Sequence, residues 1–374
     1  MDHIFRKTLA AIFLMIITAS SLYVVFQRER IIRLEEDPSR FHEAMYYDKL
    51  FGNLVQCRLC PNLCILVPGQ YGICKARKNI NGKLYSMVYG KIAAVHLDPV
   101  EKKPFFHVLP GSSAFSIATT GCNIQCLFCQ NWEISQVFPF DLTTITATPE
   151  QVVAQALTSG AHAIAFTYSE PIISYEYVLD IAKLAKGYGL KTLVVSNGYI
   201  EQKPLKELLP YIDAFKVDFK SFDERFYTKI TQGHLQPVLD SMKSIHQSGT
   251  WLEIVNLLVT NQNDSDRQIR GLARWIRINL GPNVPLHFSR FFPQYKLLNV
   301  PPTPPEVVIH AREIAIKEGL NYVYAGNIDF PAGETTFCPR SHERVIVRQG
   351  MFAIYNGLVH GACADGEKIP GIWQ

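Results

Sequence analysis

Neither sign of charge dominates this chain. Thirty-seven Lys and Arg stand against 33 Asp and Glu, a formal net charge of +4, and no basic run carries interleaved aromatics. A nucleic-acid partner is therefore not expected. Cysteine is too scarce for a disulfide scaffold, since nine cysteines cannot staple a chain of 374 residues. Internal repeats and low-complexity tracts are also missing, which sets repeat architectures aside. What remains is an ordinary globular composition, 48% apolar and 19% charged. The length allows one large catalytic domain with smaller attachments.

One long apolar run is present. Residues 8–26, TLAAIFLMIITASSLYVVF, carry no charge, and such a run is about long enough to cross the ~30 Å hydrocarbon core as a helix. Arg6 and Lys7 precede it, and Arg28, Arg30 and Arg33 follow. Thr18-Ala19-Ser20 offers small residues for signal cleavage, but the run is long for a signal peptide. Arg6-Lys7 is not the arginine pair of a twin-arginine signal. A retained single-pass transmembrane anchor over residues 1–30 is the expectation. Flanking charge biases its orientation only slightly. The close cysteine spacings described below need reduced thiolates, which places the catalytic domain on the cytoplasmic side of the membrane.

Residues 31–110 read as a connector followed by a Cys-rich and β-hairpin segment. The charged stretch 27–55 is expected to be helical, and Asn81-Gly82 to make a hairpin turn. Residues 111–327 alternate short apolar runs with helical stretches. The expected strands are 114–120, 163–169, 192–197, 214–219, 252–260, 285–291 and 322–326. The expected helices are 148–159, 176–187, 205–209, 237–248, 266–279 and 305–318. Thr148-Pro149-Glu150 and Thr303-Pro304-Pro305-Glu306 look like capped helix starts with proline in the first turn. This alternation implies an α/β fold with a parallel sheet, open or closed into a full or partial (β/α) barrel. In such barrels the reactive groups sit at the C-terminal strand ends. Residues 328–374 form a tail.

Directly after the first expected barrel strand comes Gly121-Cys122-Asn123-Ile124-Gln125-Cys126-Leu127-Phe128-Cys129, a C-x3-C-x2-C spacing. Three thiolates can hold three irons of a 4Fe–4S cubane and leave the fourth open to an external ligand. A closed structural zinc site is a poor fit, because no His or fourth Cys is nearby. Cys57, Cys60, Cys64 and Cys74 form a second group in a short loop-rich segment. A metal could hold so small a module together, either zinc or an auxiliary Fe–S cluster, with zinc or a plain redox-inert structure the less demanding option. Cys338-Pro339-Arg340-Ser341 and Cys363-Ala364-Asp365-Gly366 look like two halves of a zinc knuckle that have each lost a cysteine. With only Cys338, Cys363 and His342 left, a metal-free remnant is expected there.

The loop CNIQCLFC resembles the cluster loop of the radical S-adenosylmethionine (SAM) superfamily. Over most of residues 50–374 the chain also resembles the AmmeMemoRadiSam-system radical SAM enzymes, which are related to pyruvate formate-lyase activating enzyme. The resemblance rests on the N-terminal C-x2-C-x3-C segment, KLYSMVYGKIAAVHLDPVEKKPFFHVLPGS, CQNWEISQ, TYSEP and the closing IPGIW. It implies a partial barrel of radical SAM type, a 4Fe–4S cluster on Cys122, Cys126 and Cys129, and reductive cleavage of SAM followed by hydrogen abstraction. Phe128 would then lie near the adenine. Glu170, in Thr167-Tyr168-Ser169-Glu170-Pro171, would take the SAM ammonium where the superfamily usually has a Gly-Gly-Glu-like segment. Ser196 and Asn197 suit ribose hydroxyls or the SAM carboxylate.

Strand alternation puts Lys216, Asp218 and Lys220 on one face, with Asp218 and Lys220 expected in the lumen or in a simple ion pair. It puts Leu286, Phe288 and Arg290 on one face and His287 on the other. Arg290 is expected to meet a carboxylate, and His287 is a weaker substrate candidate. The implied partners are an electron donor such as flavodoxin or ferredoxin, an unidentified protein or small-molecule substrate, and a Memo-type protein. The narrower alternative is an activase of a glycyl-radical enzyme. A third is a non-enzymatic, membrane-tethered metal-binding scaffold.

Overall fold

A computed structural model of the chain describes residues 37–374. The expected membrane span over residues 8–26 lies outside the described residues. Among those described, no helix is long and apolar enough to cross a membrane.

The centre is an eight-stranded sheet. In chain order its strands are β1 (Ala94–Pro99), β2 (Ser113–Ala118), β3 (Ala163–Phe166), β4 (Lys191–Ser196), β5 (Ala214–Phe219), β6 (Trp251–Leu258), β7 (Leu286–Arg290) and β8 (Val323–Gly326). They lie side by side in that order, β1 antiparallel to β2 and the rest parallel. The sheet leaves β1 and β8 as its two edges, so the barrel is open. Strands such as AIAF in β3 and TLVV in β4 are almost wholly buried, as expected where helices cover the outer face of a parallel sheet.

Six helices make the crossovers: α1 (Pro149–Thr158), α2 (Tyr175–Gly187), α3 (Gln202–Leu208), α4 (Leu235–Gln247), α5 (Asp266–Asn279) and α6 (Pro305–Lys317). Each lies within a few residues of its expected position. The Thr148 hydroxyl accepts from the Gln151 amide while the Gln151 side chain returns to the Thr148 amide. This reciprocal cap with Pro149 at the first turn is worth about 1 kcal/mol. The second expected cap is different. Pro304, not Thr303, occupies the cap of α6, and the Thr303 hydroxyl donates to the Leu258 carbonyl at 2.6 Å.

Before the barrel, the chain forms two small antiparallel sheets, one of His42–Glu43, Lys83–Ser86 and Arg77–Ile80, the other of Tyr47–Lys49, Val55–Cys57 and Ile65–Leu66. Asn81 (φ 51°) and Gly82 (φ 85°) close the expected hairpin, with the positive φ pair that a primed turn requires. The helical connector is not found in the described part of 27–55. Those residues make short strands and single 3-10 turns, because the Cys-rich hairpins offer ladder partners to their backbone.

After β8 come β9 (Thr336–Phe337), β10 (Arg344–Gln349) and β11 (Phe352–Asn356), a small antiparallel sheet. Cys338 and Cys363 are joined by a disulfide, and His342 is not part of the group around them. The final residues turn back under the barrel, where the Leu109 amide donates to the Ile372 carbonyl at 2.7 Å and the Ile372 amide to the His107 carbonyl at 2.8 Å.

Gly121, between β2 and Cys122, has φ 102°, and a Cβ added there would collide with the Cys74 carbonyl. Gly160 also has a positive φ, 71°, but faces open space. Gly121→Ala should therefore destabilise the fold by more than the ~1 kcal/mol of left-handed strain expected for Gly160→Ala. Thermal melts of the two variants check this; equal shifts would remove the packing argument.

Candidate active site

The loop after β2 carries Cys122, Cys126 and Cys129 to the C-terminal mouth of the sheet. All three are free of disulfides, and all three line one cavity of about 1300 Å³. Residues from β1 to β8 surround that cavity, among them His96, Lys216, Asp218, Val255, His287 and Tyr324. Burial pushes all three thiols up. Against that, backbone amides are aimed at two of the sulfurs, Ile124 N–H at Cys122 and Asn131 N–H at Cys129, and the Ser135 and Gln136 side chains also reach Cys129. Donors of this kind favour the thiolate, the form that binds iron. Lys220 faces all three sulfurs. Its burial disfavours the charge, but Asp218 and the cysteines outweigh it and hold the ammonium above its ordinary range.

Glu170 joins this loop to the next two strand ends. It caps the 3-10 turn Pro171–Ser174, but it is buried rather than a surface carboxylate. Oε1 accepts from the Ser196 hydroxyl at 2.7 Å and the Ile172 amide at 3.1 Å, and Oε2 accepts from the Asn197 amide at 2.9 Å. The Asn197 side chain donates to Asn123 Oδ1 at 2.8 Å and lies 3.7 Å from Cys122 Sγ. Burial pushes Glu170 up to about 7, although its three donors pull the other way. Ser196, Asn197 and Glu170 are thus brought together beside Cys122. Phe128 is buried against Phe226 at a centroid distance of 5.9 Å and also lines the cavity.

Lys216, Asp218 and Lys220 all line the cavity, as the alternation of β5 suggests. Asp218 pairs with Lys216 at 2.8 Å and with Lys220 at 3.6 Å. Its burial opposes ionisation, yet the two lysines keep its carboxyl below the usual range. Arg290 reaches the cavity wall but does not meet a carboxylate among the described residues. Its Nε donates to the Thr303 carbonyl at 2.6 Å and its guanidinium stacks on Phe292, because the segment before α6 offers a carbonyl at that strand end. His287 is buried and bound to Glu253 at 2.7 Å, which makes it part of the lower lining.

Two groups escaped the sequence reading. Lys103 and Tyr168 line the cavity and share a hydrogen-bonded partner, the buried Asp98, with Lys103 Nζ 3.0 Å from the Tyr168 hydroxyl and both in contact with Asp98. Burial lowers Lys103 to about 8 despite Asp98. Tyr168 has φ 68°, a backbone state that favours glycine, so a tyrosine with an anchored phenol stands in a glycine-like conformation before Glu170. The segment around Asp98 and Lys103 was visible as a motif, but nothing in it distinguished these side chains. Arg348 of β10 is the second group. It is buried over Phe106 and lies 3.8 Å from Glu101, a contact that no local spacing announces.

The family model described as "Radical SAM superfamily" matches residues 116–276. An uncharacterized protein of Methanocaldococcus jannaschii, MJ0808, is 44% identical over 82% of this chain and 91% of its own length. A pyruvate formate-lyase-activating enzyme of Clostridium pasteurianum is 26% identical over 42% of this chain and 66% of its own length. A solved radical SAM methyltransferase from Sphaerobacter thermophilus matches with 16% identity and a TM-score of 0.45, over 59% of this chain and 69% of that one. The chain belongs to the radical SAM superfamily. That membership implies a 4Fe–4S cluster and SAM and sets the non-enzymatic scaffold aside; zinc, a Memo-type partner and membrane association find no support in these matches.

With Glu170 near 7, the free site holds a mixture of acid and carboxylate at neutral pH. A ligand whose amino group needs the carboxylate should bind more tightly as the pH rises from 6 to 8, by up to about tenfold. Glu170→Gln should weaken SAM binding and flatten that slope. Calorimetric titration of SAM across this pH range checks both; an unchanged slope in the variant would exclude Glu170 as its source.

Proposed function

We propose that this protein is a radical SAM enzyme whose 4Fe–4S cluster is held by Cys122, Cys126 and Cys129, with the fourth iron open to SAM. The observation that carries this is the geometry of one loop: three disulfide-free thiols, Cys126 buried and Cys122 and Cys129 half-buried, lining a cavity beside the Glu170, Ser196 and Asn197 cradle. A cluster bound there would supply the electron for reductive cleavage of SAM, and so the means of abstracting hydrogen from the substrate.

The chain's own groups then have separate tasks. Glu170 accepts hydrogen bonds from the SAM amino group, while Ser196 and Asn197 fix that carboxylate and face the ribose or carboxylate of SAM. Lys220 offsets the negative charge of the thiolates, and Phe128 packs beside the adenine. Single-ligand pockets run to roughly 300–1000 Å³, so a cavity of about 1300 Å³ leaves space for a second reactant below the loop. That reactant would meet Lys103, Tyr168, Lys216 and His287. The wall combines hydrogen-bond donors with apolar surface, which suits a polar small molecule or an extended protein segment.

The electron comes from a low-potential protein donor of the flavodoxin or ferredoxin class. We place the domain on the cytoplasmic side of a membrane, tethered through residues 8–26, because its unpaired thiols need a reducing compartment. The Cys338–Cys363 disulfide is the one feature that runs against that compartment.

A narrower reading, activation of a glycyl-radical enzyme by hydrogen abstraction from a backbone glycine, is supported by relatives named as pyruvate formate-lyase activating enzymes, at 26% and 21% identity.

Protein reconstituted anaerobically with iron and sulfide, then reduced with SAM present, should release 5′-deoxyadenosine. Cys126→Ala should lower that release by roughly a thousandfold. Wild-type protein no better than the variant would overturn the proposal. A glycyl-radical EPR signal on a co-purifying protein would select the activase reading.

A further inference from the structure

The four cysteines before the barrel are not used by the site above, and they share its local construction. Cys57, Cys60 and Cys74 are buried, Cys64 is half-buried, and none is in a disulfide. The Asn62 amide is aimed at the Cys60 sulfur and the Ala76 amide at the Cys74 sulfur, each two residues further along. The Ile73 amide is aimed at Cys64. Ile124 and Asn131 stand in the same two-residue relation to Cys122 and Cys129.

The same loops carry left-handed backbone at Leu63 (φ 43°) and Lys75 (φ 61°), a cost of about 1 kcal/mol at each. The sulfurs of Cys64 and Cys74 flank Gly72, 3.8 and 3.6 Å from where its Cβ would stand. Arg77, wholly buried and paired with Glu176 at 2.5 Å, lies beside Cys57 and Cys74 and would offset the charge of thiolates there.

The spacing of the sulfurs chooses between the two metals. A tetrahedral zinc–thiolate site, with Zn–S bonds of about 2.3 Å, draws its sulfurs to about 3.8 Å from one another. Among the described residues, the one group of three or more such ligand atoms lying within 4.8 Å of one another is Cys338, Cys363, Asp365 and Glu367. No three of the four sulfurs of the N-terminal segment lie within 4.8 Å of one another, and neither do the three of the barrel loop. An iron–sulfur cluster spreads its cysteines over several irons and tolerates the wider set.

The two loops are in direct contact. Asn62, between Cys60 and Cys64, donates to the Asn123 carbonyl at 2.7 Å, one residue from Cys122. The Cys74 carbonyl presses on Gly121, on the other side of Cys122. Gln125 reaches the Ile73 carbonyl at 3.5 Å.

We propose that Cys57, Cys60, Cys64 and Cys74 bind a second iron–sulfur cluster that passes single electrons to the cluster on Cys122, Cys126 and Cys129. The second cluster takes one electron from a low-potential donor protein, then returns to its oxidised state as the barrel cluster is reduced; no bond breaks. The relay rests on the barrel reading, whereas the binding does not.

After anaerobic reconstitution, the wild type should hold about eight iron and eight sulfide per chain. The triple variant Cys122→Ala/Cys126→Ala/Cys129→Ala should keep about half of each, as should the quadruple variant Cys57→Ser/Cys60→Ser/Cys64→Ser/Cys74→Ser. A triple variant that folds yet binds no iron, or a wild type with one cluster environment by Mössbauer spectroscopy, would overturn the second site, and the Mössbauer measurement does not depend on either variant folding. Uptake of tightly held zinc at Cys57–Cys74 would overturn it too. For the relay, reduction of the barrel cluster by reduced flavodoxin, followed by EPR, should slow at least tenfold in the quadruple variant. Equal rates would overturn the relay while leaving the second cluster standing.

Discussion

One buried carboxylate organises the mouth of this barrel. Glu170 accepts hydrogen bonds from the end of β4 and from its own turn, and through Asn197 and Asn123 it sets the position of the cysteine loop. A buried charge left without donors costs several kcal/mol, so without Ser196, Asn197 and Ile172 in place Glu170 would ionise still less readily than it does. The cysteine loop is thereby registered against the strand ends rather than hanging from β2 alone.

Much of the barrel was legible in the sequence because its strands are buried on both faces and its helices on one. Runs such as AIAF and AFKVDF, short and apolar between helical stretches, fit strands of a buried parallel sheet, and the Thr148-Pro149 and Asn81-Gly82 signals act through local hydrogen bonds and φ preferences. The connector failed for the opposite reason. Residues 37–55 take strand form only because the hairpins at Arg77–Ser86 and Val55–Leu66 lend them partners, and pairing across a chain gap leaves no local mark.

The candidate site divides along the same line. Cys122, Cys126 and Cys129 were legible from spacing, and Glu170, Ser196 and Asn197 from their place after strands. Asp98, Lys103, Tyr168 and Arg348 were not, since each gains its place through contacts made far away in sequence. Tyr168 was the hardest to anticipate, because a tyrosine in a left-handed conformation contradicts its own propensity and is held by partners seventy residues earlier. Arg290 shows the converse: its type and position were right for a carboxylate, and the fold supplied a carbonyl instead.

The underside of the barrel is made from the two ends of the domain. Phe106 and His107 donate their amides to Glu253, and His107 is in turn held by the Pro370 carbonyl, Ile372 and Trp373. Residues 370–373 therefore brace the loop that holds Glu253, and because Glu253 also pairs with His287, the tail reaches through two side chains to the cavity wall.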